Sequence, residues 1–209
     1  MRIIIFGASG GTGRELVKQG LSLGHIIAAF VRNPNSLEVK DEKLTIFQGD
    51  VLNAEQVSRA VEGQDVVISV LGNKTSKAIR KSNTVISEGL QNIIAAMDRN
   101  NLKRLLFVTS FGVSENVFLP EKLFIKIFLK NIFADIPKQE RLIQASGLDW
   151  TIVRPARLVN TPKTANYNAG DNLRFGIFSK ISRTDVADFL LKSVDKREYF
   201  RKIIGLKHA

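Results

Sequence analysis

The chain opens MRIIIFGASGGTG, where an apolar run at residues 2–6 meets glycines at positions 7, 10 and 13. No other feature narrows the fold as much. An unbroken apolar run of this length, without polar alternation, reads as a strand buried on both faces, as in a parallel sheet. Glycines on every third residue directly after it predict a sharp turn into a helix, expected from about Thr12 to Leu23.

The same alternation continues along the chain. HIIAAFV (25–31), LTIFQ (44–48), DVVISVL (65–71), KRLLFVT (103–109) and DWTIVRP (149–155) read as further strands, the last ended by Pro155. Asn53 is placed to cap one intervening helix, with Gln56 three residues on completing a capping box. Ser82 is placed to start another, whose Val85, Ile86, Gly89, Leu90, Ile93, Ile94 and Met97 share one face. Strands alternating with helices imply a parallel sheet covered on both sides, and right-handed crossovers make it doubly wound. The expectation is therefore an α/β chain with a doubly wound Rossmann-type parallel sheet and a small C-terminal substrate-side lobe. One domain would span 1–209, with substrate-side loops over about 156–180. VNTPKTANYNAGDNLRF (159–175) reads as loop; ISRTDVADFLLKSV (181–194) restores a helix capped by Ser182 or Thr184; KIIGL (202–206) suits a late strand.

Composition closes several routes. There is no cysteine, so disulfides, thiolate metal ligands and cysteine catalysis are absent. His25 and His208 are the only histidines, which argues against a metal site. No apolar stretch approaches the ~18 residues of a membrane span, no signal peptide is read before the first apolar run, and a cytoplasmic protein is expected. The net charge of +11 favours anionic ligands, and residues 111–209 (17 basic, 10 acidic) carry more of it than residues 1–110 (14 basic, 10 acidic). Nucleic acid is not expected as a partner, because no groove-reading motif or stacking platform accompanies the charge.

The spacing of the glycines is G-x-x-G-x-x-G, but the physics is that of a dinucleotide loop. Gly7 permits the turn, Gly10 lets a pyrophosphate approach the backbone, and Gly13 lets helix and strand pack closely. Ser9 and Thr12 add hydroxyl donors, and the helix N-terminus offers free N–H groups to phosphate. An NAD site usually carries an acid about 20 residues further on. Here FVRNP (30–34) puts Arg32 at that point, and a guanidinium suits a 2′-phosphate, so NADPH is expected over NADH. Asp50 and Val51 follow the third strand, where a carboxylate can accept a hydrogen bond from the adenine amino group; Leu71, Gly72 and Asn73 end the fourth, where a small residue lets the cofactor pass over the sheet.

The acceptor side is less conventional. Tyr167 is followed four residues on by Asp171 and Tyr199 by Ile203, so neither makes the Tyr-x-x-x-Lys pair that many dehydrogenases of this design use. Thr109 and Ser110 end the fifth strand, where Thr109 would meet the cofactor and Ser110 would hold substrate or an ordered water, with Phe111 beside it. Pro155 and Ala156 would border the nicotinamide, and Arg157 would face an acidic substrate; for Arg154 and Arg157 alike a structural ion pair is the competing reading. A hydride donor without a strong acid suits flavins and conjugated tetrapyrroles, which accept hydride with little protonation help.

The stretches FGASGGTG, FVRNP, GDVL, GQDVVISVLG, TVISEGLQNIIAAM, VTS, SGLDWTIVRP and ISRTDVADFLL resemble the atypical short-chain dehydrogenase/reductases on the NmrA-like side. Among these they are most similar to the biliverdin reductase B or NADPH-dependent flavin reductase group. The resemblance implies a monomeric reductase of flavins, bilins or quinones, with NADPH/NADP+ as cofactor and flavin as substrate. It assigns Gly7, Ser9, Gly10, Gly11, Thr12 and Gly13 to the phosphate loop, Arg32 to the 2′-phosphate, and Asp50, Val51, Leu71, Gly72 and Asn73 to adenine and ribose. Ser110 is its catalytic residue near nicotinamide and substrate, with Pro155 and Ala156 alongside. One departure matters: Ala156 stands where biliverdin reductase B has a histidine, and Arg154 replaces the first of its proline pair, which sets a histidine-assisted step and a bilin preference in question.

EKLFIKIFLKNIF (121–133) places Lys122, Lys126 and Lys130 on one stripe of an otherwise apolar helix. It reads as a helix packed on the sheet, as a lid over a flat substrate, or as a contact with an anionic membrane surface. The alternative to a reductase is an NmrA-like redox sensor that binds NADP(H) and a protein partner without turnover.

Overall fold

The computed structural model describes residues 1–72, 84–111, 135–176 and 178–209. Strands β1 (Arg2–Phe6), β2 (Ile26–Val31), β3 (Leu44–Gln48), β4 (Val66–Ser69), β5 (Arg104–Val108) and β6 (Asp149–Pro155) alternate with helices α1 (Gly11–Ser22), α2 (Ala54–Val61), α3 (Val85–Arg99) and α4 (Ile136–Ala145). The chain continues through β7 (Arg157–Val159), β8 (Tyr167–Gly170), β9 (Lys180–Ser182), α5 (Arg183–Lys192) and β10 (Lys202–His208). The main sheet has 8 strands in the order β3-β2-β1-β4-β5-β6-β10-β8, and β7 pairs with β9 in a separate ribbon. Every pairing in the main sheet is parallel except β10 with β8.

The apolar runs are continuous because both faces are covered. Ile3 and Ile5 of β1 pack with Leu16 and Val17 of α1 and Val186 and Leu190 of α5. Ile4 and Phe6 face the other layer, with Val57 of α2, Leu90 and Ile93 of α3 and Ile143 of α4. Four β1 residues, Ile3 to Phe6, have no exposed surface. Burying one such side chain contributes about 1.5–3 kcal/mol, so this strand anchors the domain.

Capping follows the sequence with one change. Asn53 Oδ1 accepts from the N–H groups of Glu55 and Gln56 at 3.1 Å each, as expected. Gln56 does not close the box on Asn53; its Oε1 accepts from Asp50 N at 2.8 Å and so fixes the turn after β3. Ser182 caps α5, its Oγ accepting from Asp185 N at 2.8 Å. Ser82 lies outside the described residues, and α3 begins at Val85 with Thr84 as its cap.

The loop expected over 159–175 contains a strand. Tyr167–Gly170 pairs antiparallel with β10, with His208 opposite Tyr167 and Gly205 opposite Gly170. Its burial pattern is half-exposed throughout, as an edge strand allows, so the sequence carries no apolar signal for it. At the amino ends of the strands, buried Arg104 donates to the carbonyls of Ser193, Val194 and Asp149 and to Thr151 Oγ1, and lies 4.4 Å from the Phe200 ring centre. Burial pulls its guanidinium down to about 10, which leaves it charged at neutral pH.

Candidate functional site

The chain order sends β1 to β2 to β3 in one direction and β4 to β5 to β6 in the other, so the sheet reverses between β1 and β4. Ligands of doubly wound sheets bind outside the carboxyl ends of the strands at this reversal. Gly7 follows β1, Arg32 follows β2, Asp50 follows β3, Leu71 follows β4, and Thr109 and Ser110 follow β5. Pro155 ends β6. The residues singled out in the sequence thus share one rim of the molecule.

Each glycine of the loop has its own reason. Gly7 has φ +84, and a Cβ there would sit 2.8 Å from the Val70 carbonyl oxygen, so β4 passes directly against the turn. A Cβ on Gly13 would sit 2.2 Å from Gly7 O and 2.6 Å from Ala8 Cα, which is the close helix–strand packing expected of the last glycine. Gly10 is exposed and donates its N–H to Gly7 O at 3.0 Å. It caps α1 without a side-chain hydrogen bond, and the first turn holds no acid. The N–H groups and positive dipole end of α1 are therefore met by no acid of its own first turn, as suits a phosphate site. Ser9 is half-buried at the rim, whereas Thr12 is buried, so of the two hydroxyls only that of Ser9 lies near the exposed edge. Gly11 differs from what sequence suggests: its missing Cβ would lie 2.5 Å from Cδ and 2.7 Å from Nε of Arg183.

Arg32 is exposed at the end of β2. Arg14 of α1 donates from Nη2 to Ser36 O at 3.1 Å, which ties a second guanidinium to the segment that follows β2. Asp50 is exposed and accepts from Leu52 N at 3.0 Å through Oδ1. Val51 is buried against Gly89, and its carbonyl accepts from Asn92 Nδ2 at 3.0 Å. Leu71 is half-buried and Gly72 exposed; Asn73 lies outside the described residues.

On the acceptor side, the Thr109 hydroxyl donates to Glu140 Oε1 at 3.0 Å. Arg154 grips the same carboxylate from Nε at 2.9 Å and Nη2 at 2.6 Å, so it is a structural ion pair. Ser110 is half-buried, and Phe111 stacks on Phe175 with ring centres 5.3 Å apart. Pro155 and Ala156 are both buried, Ala156 at 2 % exposure with its N–H on Leu206 O. Arg157 is exposed at the start of β7. The Tyr167 phenol is committed to a partner of its own. The Tyr167 hydroxyl donates to Asp188 Oδ2 at 2.7 Å, and burial with that carboxylate pushes its pKa up. Burial and then Glu198 raise Tyr199 as well. The helix expected at 121–133 lies outside the described residues.

Sequence reasoning did not find Glu140, Arg14 or Arg183. Glu140 sits in KQERLIQ, a stretch that reads as a solvated helix turn, and its partners come from two different strands. Among the described residues no cluster of potential metal ligands occurs, and no helix is long and apolar enough to cross a membrane.

A doubly wound sheet whose first helix opens uncapped over three glycines defines a nucleotide-binding α/β protein. Residues 7–197 match the NAD(P)H-binding family, and the chain belongs to it; it is an NAD(P)H-binding protein of oxidoreductase type. Among its relatives is the sugar epimerase YhfK of Bacillus subtilis (strain 168), itself uncharacterized, 29% identical over 201 residues that span 94% of this chain and 89% of that one. A short-chain dehydrogenase/reductase of Veillonella parvula, solved in complex with NADP, superposes with a TM-score of 0.80 at 22% identity, covering 98% of this chain and 93% of its own. An anaerobillin reductase of Escherichia coli O157:H7 superposes with a TM-score of 0.79 at 20% identity, covering 99% and 96%. At these identities the two structures share the fold.

Proposed function

We propose that this chain is an NADPH-dependent reductase that passes hydride to a flat conjugated acceptor, a flavin or a bilin. The observation that carries the reading is the chemistry missing from the end of β5. Thr109 and Arg154 are both committed to Glu140, Tyr167 is committed to Asp188, and no Tyr-x-x-x-Lys pair exists. Reducing a ketone to an alcohol needs a proton delivered to the developing alkoxide. A conjugated ring system spreads the incoming charge and takes its proton from water, so positioning supplies most of the rate. Phe111, half-buried and backed by the buried Phe175 ring, offers one aromatic ring of the kind a planar acceptor stacks against. The neighbour that reduces anaerobillin supports a tetrapyrrole as one candidate acceptor.

When bound, NADPH would supply the hydride. The chain's own part is to hold the diphosphate at Gly10 and the start of α1, read the 2′-phosphate with Arg32, and set the acceptor against Ser110 and Phe111. The reading is tested by mixing the protein with NADPH and, in turn, FMN, biliverdin and a quinone, while following absorbance of the reduced nicotinamide. Oxidation above the protein-free rate with FMN or biliverdin is expected. Tight NADPH binding with no turnover of any acceptor would overturn it in favour of a sensor that works through a protein partner.

A further inference from the structure

Arg183 is the first residue of α5, yet its side chain runs across to the first residue of α1. A Cβ on Gly11 would fall 2.5 Å from its Cδ and 2.7 Å from its Nε. The Cα–Cβ bond of a helical residue tilts towards the helix N-terminus. A side chain occupying that vacant direction therefore lies on the N-terminal rim of α1, where phosphates bind. The middle of the glycine loop thus leaves room for a guanidinium as well as for a ligand.

The electrostatics of this position are unfavourable in the protein alone. Arg183 stands beside the N-terminus of α1, a positive dipole end whose first turn holds no acid, whereas the first turn of its own helix α5 carries Asp185. Its only hydrogen-bond partner among the described residues is neutral, Asn160 Oδ1 at 2.7 Å from Nη1. The groove it lines with Gly11, of about 670 Å³, also contains Arg14, Lys18 and Lys163 against the single carboxylate Glu15. Lys163 is neutralised by Asp188 at 2.5 Å, but among the described residues no ion pair compensates Arg183, Arg14 or Lys18. A dianionic group at the rim of α1 relieves all of these terms together.

We infer that Arg183 is a cofactor-binding residue that clamps the diphosphate of NAD(P)H from the α5 side, and that Gly11 is bare in order to seat it. The inference rests on the dinucleotide site and not on the nature of the acceptor. It separates two cations by function: Arg32 reads the 2′-phosphate and distinguishes NADPH from NADH, whereas Arg183 holds the group that both share.

The experiment is direct binding by calorimetry with NADPH, NADH, ADP-ribose and adenosine 2′-monophosphate. Arg183→Ala should weaken the first three alike, by about ten- to a hundredfold for a lost charged hydrogen bond, and leave the diphosphate-free adenosine 2′-monophosphate unchanged. Arg183→Lys should recover part of the loss. Gly11→Ala displaces only a flexible side chain, so it should fold normally and weaken binding, yet add little in an Arg183→Ala background. Wild-type affinity for ADP-ribose in Arg183→Ala overturns the inference, and so does an equal loss for all four ligands, which would mark a structural role. Failure of the wild-type protein to bind any dinucleotide would instead overturn the cofactor site itself.

Discussion

Glu140 holds Arg154 through two hydrogen bonds, of 2.9 and 2.6 Å, and the same carboxylate accepts the Thr109 hydroxyl at 3.0 Å. One acid on α4 thereby ties the end of β5 to the end of β6 directly beneath the acceptor side. The pair is largely removed from water, with side-chain exposures of 17% for Arg154 and 9% for Glu140. Its role is to make the floor of the site rigid and to withdraw two polar groups from chemistry.

Removing the acid should therefore cost stability first. Glu140→Gln leaves a buried guanidinium without a counter-charge, which costs about 3–5 kcal/mol in comparable sites. Urea unfolding should show a lower midpoint with an unchanged slope. A loss below about 1 kcal/mol would mean that the pair behaves as an exposed one.

Tyr167 tests the absence of a tyrosine acid. Its hydroxyl donates to Asp188, and burial with that carboxylate raises its pKa, so its proton is held in that pair rather than turned to a substrate. Tyr167→Phe should reduce stability by about 1 kcal/mol and leave kcat with any accepted substrate unchanged. A large fall in kcat with stability intact would show that this phenol takes part in turnover.

The parts legible in the sequence are those with a local signal. RIIIF and LTIFQ announce themselves because strands covered on both faces need unbroken apolar runs, and the reversal of the sheet follows from their number and order. Gly7 and Gly13 were readable because turn geometry and helix–strand packing act between near neighbours. Asn53 was readable as a cap, but Gln56 went to Asp50 because that N–H lay free in the turn after β3. The parts that were not legible depend on distant partners. Arg154 could have faced substrate or an acid, and only the placement of α4 decides for Glu140. The family resemblance puts Gly11 in the phosphate loop, and nothing near it in the chain reveals that Arg183 lies against it. Tyr167–Gly170 reads as loop because an edge strand needs no apolar pattern.

Cofactor choice should follow Arg32. It is exposed at the end of β2, and FVRNP carries no acid to bind a ribose hydroxyl. Arg32→Ala should raise KM for NADPH by about tenfold or more, as expected for losing a charge-assisted contact, and leave KM for NADH nearly unchanged. Arg14, held to Ser36 in the segment that follows β2, should give a smaller shift in the same direction when replaced by Ala. An unaltered NADPH/NADH ratio in Arg32→Ala would assign the 2′-phosphate to other residues.

The packing of α5 on the main sheet should be acid-labile, and the sign follows from two of its aspartates. Burial pushes Asp185 up, but hydrogen bonds from Ser182, Ala165 and Thr164 outweigh it, and its pKa falls below the ordinary 3.8. Burial also pushes Asp188 up, and Lys163 at 2.5 Å, Lys192 at 2.8 Å and Tyr167 at 2.7 Å together bring it below 3.8. A carboxyl more acidic in the folded than in the unfolded state binds fewer protons when folded. Its stabilisation is complete above 3.8 and is lost as pH falls through the lower folded-state value. The unfolding free energy should therefore drop steeply from about pH 4 towards pH 2. Asp188→Asn should be less stable at neutral pH and show a shallower drop over that interval, because one of the two linked protons is gone. The lysines are partly exposed, so the loss at neutral pH is moderated by solvent. Parallel curves for wild type and Asp188→Asn below pH 4 would place the acid sensitivity on other carboxyls.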